Sequence, residues 1–127
     1  MPHNPTPTTR YFPDERLEAS RLALHAIAMV AARRDALRGL PGQAGPQLER
    51  AVVGAYTNFC SGAALHGAEA RRHHRIALSE ACEAGGVLDI ALACGALDAV
   101  GYRELRDTLL RLGACLRGLT QAKSSRR

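Results

Sequence analysis

Leu105, Leu109, Leu112, Leu116 and Leu119 recur at spacings of 4, 3, 4 and 3, the clearest period in the chain. That rhythm places one residue per turn on a single helical stripe and predicts a helix from about Ala99 or Tyr102 to Gln121. Leu48, Val52, Ala55 and Phe59 repeat the rhythm at 4, 3 and 4, which predicts a second helix starting by Pro46 or Gln47 and ending between Gly62 and Gly67. An earlier helix is expected from Pro13 or Asp14 to about Arg38, with Leu17, Leu24, Ile27 and Ala31 inward and the acids Asp14, Glu15 and Glu18 complementing its N-terminal dipole. The stretch GLPGQAGP, three glycines and two prolines, closes it. A further helix is expected from Ala68 to Ala93, with Ile76, Val87 and Ile90 inward, Gly85 and Gly86 as weak points and Gly95 as its stop.

Four amphipathic helices joined by short connections can bury their stripes only against one another. The fold class expected is therefore all-α, an antiparallel up-down-up-down four-helix bundle over residues 13–121. Residues 1–12, rich in proline and threonine and without an apolar period, are expected to form a disordered arm, and residues 122–127 a basic tail.

Composition agrees with helix. Alanine (23) and leucine (17) far outnumber the β-branched residues, and 127 residues suffice for one core but not two. No apolar run approaches the length needed to span a bilayer, and the N-terminus lacks the basic-then-apolar layout of a secretory signal, so a soluble cytoplasmic protein is expected. Cys60, Cys82, Cys94 and Cys115 are widely spaced without a C-x-x-C pair, and are expected to be buried and reduced.

Enzymatic chemistry finds little support. A di-iron bundle needs inward glutamates with Glu-x-x-His pairs on two helices, and the chain has none. Asn58 and Glu83 are polar positions on apolar stripes. They are read as bonded to each other, to backbone ends or across a subunit interface, in preference to half of an active site, because no nucleophile with a placed base accompanies them. His66, His73 and His74 cluster near one turn, but adjacent histidines on a helix point about 100° apart and make poor joint metal ligands. No cofactor, metal or catalytic residue is expected.

Charge carries more information. Residues 103–127 hold Arg103, Arg106, Arg111, Arg117, Lys123, Arg126 and Arg127 against Glu104 and Asp107, which accounts for the whole net charge of +5. Arg71, Arg72, His73, His74 and Arg75 form a second cluster in the first turns of a helix, where cations oppose the dipole. Sixteen of the seventeen basic residues are arginine, the side chain suited to bidentate phosphate contact. The bland alternative is a solvated face in an arginine-biased composition. The nucleic-acid contacts expected are Arg71, Arg72, His74, Arg75, Arg103, Arg106, Arg111 and Arg117, made chiefly to phosphate because aromatic residues are few.

The segment QLERAVVGAYTNFCSG, Gln47 to Gly62, resembles the Q-L-x-R-A-x-x-S-I-x-x-N-I-A-E-G signature of a bacterial four-helix-bundle family. That family includes proteins encoded in intervening sequences of 23S ribosomal RNA genes and the accessory protein of diversity-generating retroelements. RIALSEACEAGGVLDIA, Arg75 to Ala91, is similar to the family's third helix with its I-A-x-x-S-x-x-E pattern, and LDAVGYREL to the turn into its last. Gln47, Leu48, Arg50, Ala51, Asn58, Gly62, Ile76, Ala77 and Glu83 stand at signature positions. Gly54 replaces the usual serine, Ser61 the glutamate before the glycine, and Glu80 a helix-three serine.

The resemblance implies structural roles for Gln47, Arg50, Asn58, Gly62 and Glu83, a ring-shaped homo-oligomer, most often a pentamer, and no catalytic activity. It also implies partners of two kinds for retroelement members, nucleic acid and a reverse transcriptase, both met through basic surfaces. The function expected is a non-enzymatic homo-oligomeric bundle that binds nucleic acid, RNA in the first place, or a nucleic-acid enzyme through arginine-rich faces. The alternative is a structural or protein-interaction oligomer without a nucleic-acid ligand.

Overall fold

The computed structural model describes residues 14–121, so the arm expected over 1–12 and the tail expected over 122–127 lie outside the described residues. The helices are α1 (Asp14–Ala32), the single turn α2 (Arg34–Leu37), α3 (Ala44–Ala63), α4 (Gly67–Ala93) and α5 (Ala99–Gln121), and no strand occurs among the described residues. The four long helices form an up-down-up-down bundle. Each packs on two neighbours in the cyclic order α1, α3, α4, α5, and the diagonal pairs barely touch. The most extensive contact is α3 on α4.

The connections follow from local chemistry. α1 breaks at Arg33, whose backbone leaves the helical region (φ −110°, ψ 17°) while its guanidinium reaches back to the Met29 carbonyl. Leu40, preceding Pro41, is driven into an extended conformation, and a 3₁₀ turn over Pro41–Gln43 follows with Gly42 left-handed at φ 65°. α3 then begins at Ala44, earlier than its apolar rhythm predicts. Pro46 is tolerated there because first-turn amides have no helical acceptor to lose. Gly45 is required, since a Cβ at this position would overlap the Leu37 carbonyl.

At the last of the three reversals α4 ends in a Schellman pair, with Ala96 N–H donating to Ala91 and Gly95 N–H to Leu92, Gly95 being left-handed at φ 76°. Asp98 then caps α5 by accepting the Gly101 amide at 2.7 Å.

The predicted stripes of α3 and α5 are buried throughout. Two others are corrected. α1 buries Ala19, Leu22, Ala23, Ala26, Met29 and Val30, and leaves Leu24 and Ala31 exposed with Leu17 and Ile27 half-buried. Large apolar residues occur all round this helix, so size alone does not select a face. The face turned inward is the one whose alanines allow close approach. In α4 the buried positions are Ala70, His74, Ala77, Ala81, Ala84, Val87, Leu88 and Ala91, whereas Ile76 is half-buried and Ile90 is exposed. An alanine-lined seam explains how tightly α4 meets α3. Gly85 and Gly86 leave α4 unbroken. The cysteines are not core thiols: Cys82 and Cys94 are exposed and Cys60 and Cys115 half-buried.

Candidate nucleic-acid interface

The basic run at the start of α4 is divided by helix geometry. Each residue advances about 100°, so Ala70, His74 and Ala77 turn inward while Arg72 and Arg75 face solvent and Arg71 is half-buried at the rim. His74 therefore lies in the core at 2% exposure, its ring centroid 6.0 Å from that of Phe59 and its edge in the space left by Gly62. Burial, reinforced by the charge of Arg16 and by His73, lowers its pKa to about 4. His74 is thus neutral at pH 7 and buried beneath the surface on which it was expected to bind.

On α5, Arg103, Arg106 and Arg117 are exposed, and with Leu110 they follow one stripe at spacings of 3, 4 and 7. None of these three, nor Arg71, Arg72 or Arg75, forms an ion pair among the described residues. Arg111 differs. It donates to Glu18 of α1 at 2.8 Å and so belongs to the α1–α5 seam. Where α4 and α5 meet, Leu78 lies beside Gly113. The two helices are antiparallel, so moving from that contact towards Arg75 on α4 and towards Arg117 on α5 leads to the same end of the bundle. Arg71, Arg72, Arg75 and Arg117 are gathered there, while Arg103 and Arg106 lie towards the other end.

Of the residues of the resembled signature, Gln47, Asn58, Gly62 and Glu83 meet across the α3–α4 seam, while Arg50 is exposed. The Asn58 amide donates to the Gly54 carbonyl at 3.0 Å, and its oxygen meets His73 Nδ1 at 3.1 Å. Gln47 Nε2 donates to Glu83 Oε2 at 2.9 Å. Asn58 and Glu83 thus bind different partners at different levels, and Glu83 is exposed instead of lying on an inner stripe. Among the described residues no three of His, Cys, Asp and Glu gather closely enough to hold a metal ion.

The sequence did not reveal an open groove of about 690 Å³ over α3, walled by α1 and α4. Ile27, Ala31 and Val53 give it apolar surface, while Glu80, Glu83 and Arg50 give it charge. Arg34 pairs with Glu49 at one end. The carboxyl pKa of Glu80 is raised, first by burial and then by the neighbouring Glu83. A slight signal for this existed in the sequence, since glycine at 54 and glutamate at 80 both depart from the resembled pattern.

In fold the chain is similar to a crystal structure from Bacteroides thetaiotaomicron VPI-5482, a protein with unknown function from the S23 ribosomal protein family. The TM-score is 0.72 at 15% identity, and the match covers 81% of this chain and 98% of that one. At that identity the likeness establishes the bundle fold. No protein-family model matches the sequence, and no curated protein does. Among the described residues no helix is long and apolar enough to cross a membrane.

Proposed function

We propose that this chain is a non-enzymatic, homo-oligomeric helical bundle of the cytoplasm that binds nucleic acid, RNA in the first place, through its outward arginines. The carrying observation is that six of the seven arginines of α4 and α5, Arg71, Arg72, Arg75, Arg103, Arg106 and Arg117, have no carboxylate partner among the described residues, Arg111 being the exception. Arginines held in ion pairs would have to exchange one anion for another, whereas these are available to phosphate. Three of them stand at the N-terminal end of α4, where a cation gains nothing from the helix dipole, so helix stability does not account for their position. The S23 ribosomal protein family named for the structural neighbour points in the same direction.

Contact would be to the sugar–phosphate backbone, not to stacked bases. Among the described residues Phe59 is buried and Tyr56 and Tyr102 are half-buried against the core, so no freely exposed ring there offers a stacking platform. Titration of a short structured RNA at low and at moderate salt, with wild type and Arg71→Glu/Arg72→Glu/Arg75→Glu, tests the reading. Binding that weakens steeply with salt and is lost in the triple variant is the expected result. Absent or salt-independent binding overturns it.

A further inference from the structure

The groove over α3 and the arginine stripe of α5 lie on opposite sides of the bundle, because α3 and α5 occupy diagonal corners of the helix square. Their surfaces are complementary. The groove presents the apolar Ile27, Ala31 and Val53, the last 45% exposed, beside two carboxylates without a cationic partner. Glu83 has only the neutral Gln47, and Glu80, half-buried over Gly54, makes no hydrogen bond or ion pair among the described residues. Arg50 stands in the same groove and pairs with neither.

The α5 stripe reverses this pattern. Leu110 is 58% exposed, large for an aliphatic side chain, and is bracketed by Arg103 and Arg106 on one side and Arg117 on the other, with Asp107 the acid nearest to it along the helix and Asp89 of α4 lining the same α4–α5 cleft. An apolar knob flanked by cations therefore faces outward on one side, and an apolar trough edged by uncompensated carboxylates on the other.

We propose that the α5 stripe of one copy docks in the α3 groove of a second copy of this chain, with Leu110 against Val53 and Ile27 and with Arg103 and Arg106 reaching Glu80 and Glu83. The two surfaces differ, so the contact is head-to-tail. Each docked copy still offers a free stripe or a free groove, and the assembly either closes into a ring or extends. The inference rests on the homo-oligomer in the reading above and specifies its contact. It also takes Arg103 and Arg106 out of the nucleic-acid surface and leaves that role to Arg71, Arg72, Arg75 and Arg117.

Native mass spectrometry of the full chain tests the contact with three variants. Wild type is expected at a multiple of 13.6 kDa. Leu110→Asp, a change at an exposed position that leaves the core untouched, is expected at the monomer mass with an unchanged helical circular-dichroism spectrum. Glu80→Arg/Glu83→Arg and Arg103→Glu/Arg106→Glu are each expected as monomers, and mixing the two is expected to restore assembly into species that contain both. A monomeric wild type, a Leu110→Asp protein of wild-type mass, or a mixture that stays monomeric overturns the proposal. RNA binding is measured on the same samples. Retention by monomeric Leu110→Asp separates failure of the contact from failure of the nucleic-acid reading.

Discussion

The carboxyl group of Glu80 occupies the volume that a side chain at position 54 would claim: a Cβ built on Gly54 would stand 3.0 Å from both Cδ and Oε2 of Glu80. The two residues face each other across the α3–α4 seam, and both depart from the pattern that the sequence resembles. A small residue on α3 makes room for a long one on α4, so the two departures form one exchange. The exchange leaves a half-buried carboxylate whose charge is costly to ionise, which is the origin of its raised pKa.

Gly54→Ala follows directly from that geometry. Alanine in a helix interior is favoured over glycine by about 1 kcal/mol, and the atoms in its way are the flexible end of a glutamate. The side chain is expected to swing outward, giving stability equal to wild type or up to about 1 kcal/mol higher. The Glu80 carboxyl should then titrate nearer to an ordinary glutamate. Chemical denaturation and carboxyl-carbon NMR titration check the two halves. A marked loss of stability would mean that Glu80 is held in place by more than packing.

Gly62→Ala makes the opposite case in the same helix. Here a Cβ would overlap the ring of His74, which is 2% exposed and packed on Phe59, so no flexible end can give way. Forcing extra volume into a packed core costs about 1–3 kcal/mol, which exceeds the propensity gain. The expected outcome is destabilisation, largely relieved in Gly62→Ala/His74→Ala relative to the sum of the single changes. A double-mutant cycle in urea measures that coupling.

Those two glycines show what the sequence makes legible. The leucine rhythm of α5 has polar and charged residues opposite it, so its inner face could be read directly. α1 could not be read in this way, because Leu17, Leu22, Leu24, Ile27, Met29 and Val30 surround the helix and the choice of face depends on which alanines meet a neighbour. His74 sits in a run of arginines and reads as one more cation. Only its position on the stripe Ala70, His74, Ala77 and the glycine opposite it show that it turns inward. The groove needed three helices to be brought together, and the linear pattern holds no sign of it beyond the paired departures at positions 54 and 80.

His74 gives the bundle a pH dependence of fixed sign. Its folded pKa of about 4 lies below the ordinary value of 6.5, so between those values the unfolded chain binds the extra proton. Stability from this group is fully present above about pH 6.5 and is lost as pH falls towards 4, by an amount of about 2–3 kcal/mol. Glu80, with its raised pKa, contributes in the opposite direction, most when protonated. Urea midpoints for wild type should fall from pH 7 to pH 4.5. His74→Gln, which carries no titrating ring, should flatten the slope over that interval even if it is less stable throughout.

Arg111 supplies an internal control for the nucleic-acid reading, because it resembles its neighbours in sequence and differs from them in its partner. Bound to Glu18 at 2.8 Å, with both side chains partly exposed, it contributes at most about 1 kcal/mol to stability and offers phosphate little uncompensated charge. Arg71, Arg72 and Arg75 have no such partner among the described residues. Each arginine that neutralises a phosphate contributes about 0.7 to 0.9 to the slope of log affinity against log salt. Replacing those three by alanine should therefore reduce the slope by about 2 to 3, while Arg111→Ala changes it by less than about 1. Fluorescence anisotropy of a labelled RNA across a salt series reads both slopes. Equal effects from the triple set and from Arg111 would mean that the whole charge of the bundle attracts the RNA and that no particular face is responsible.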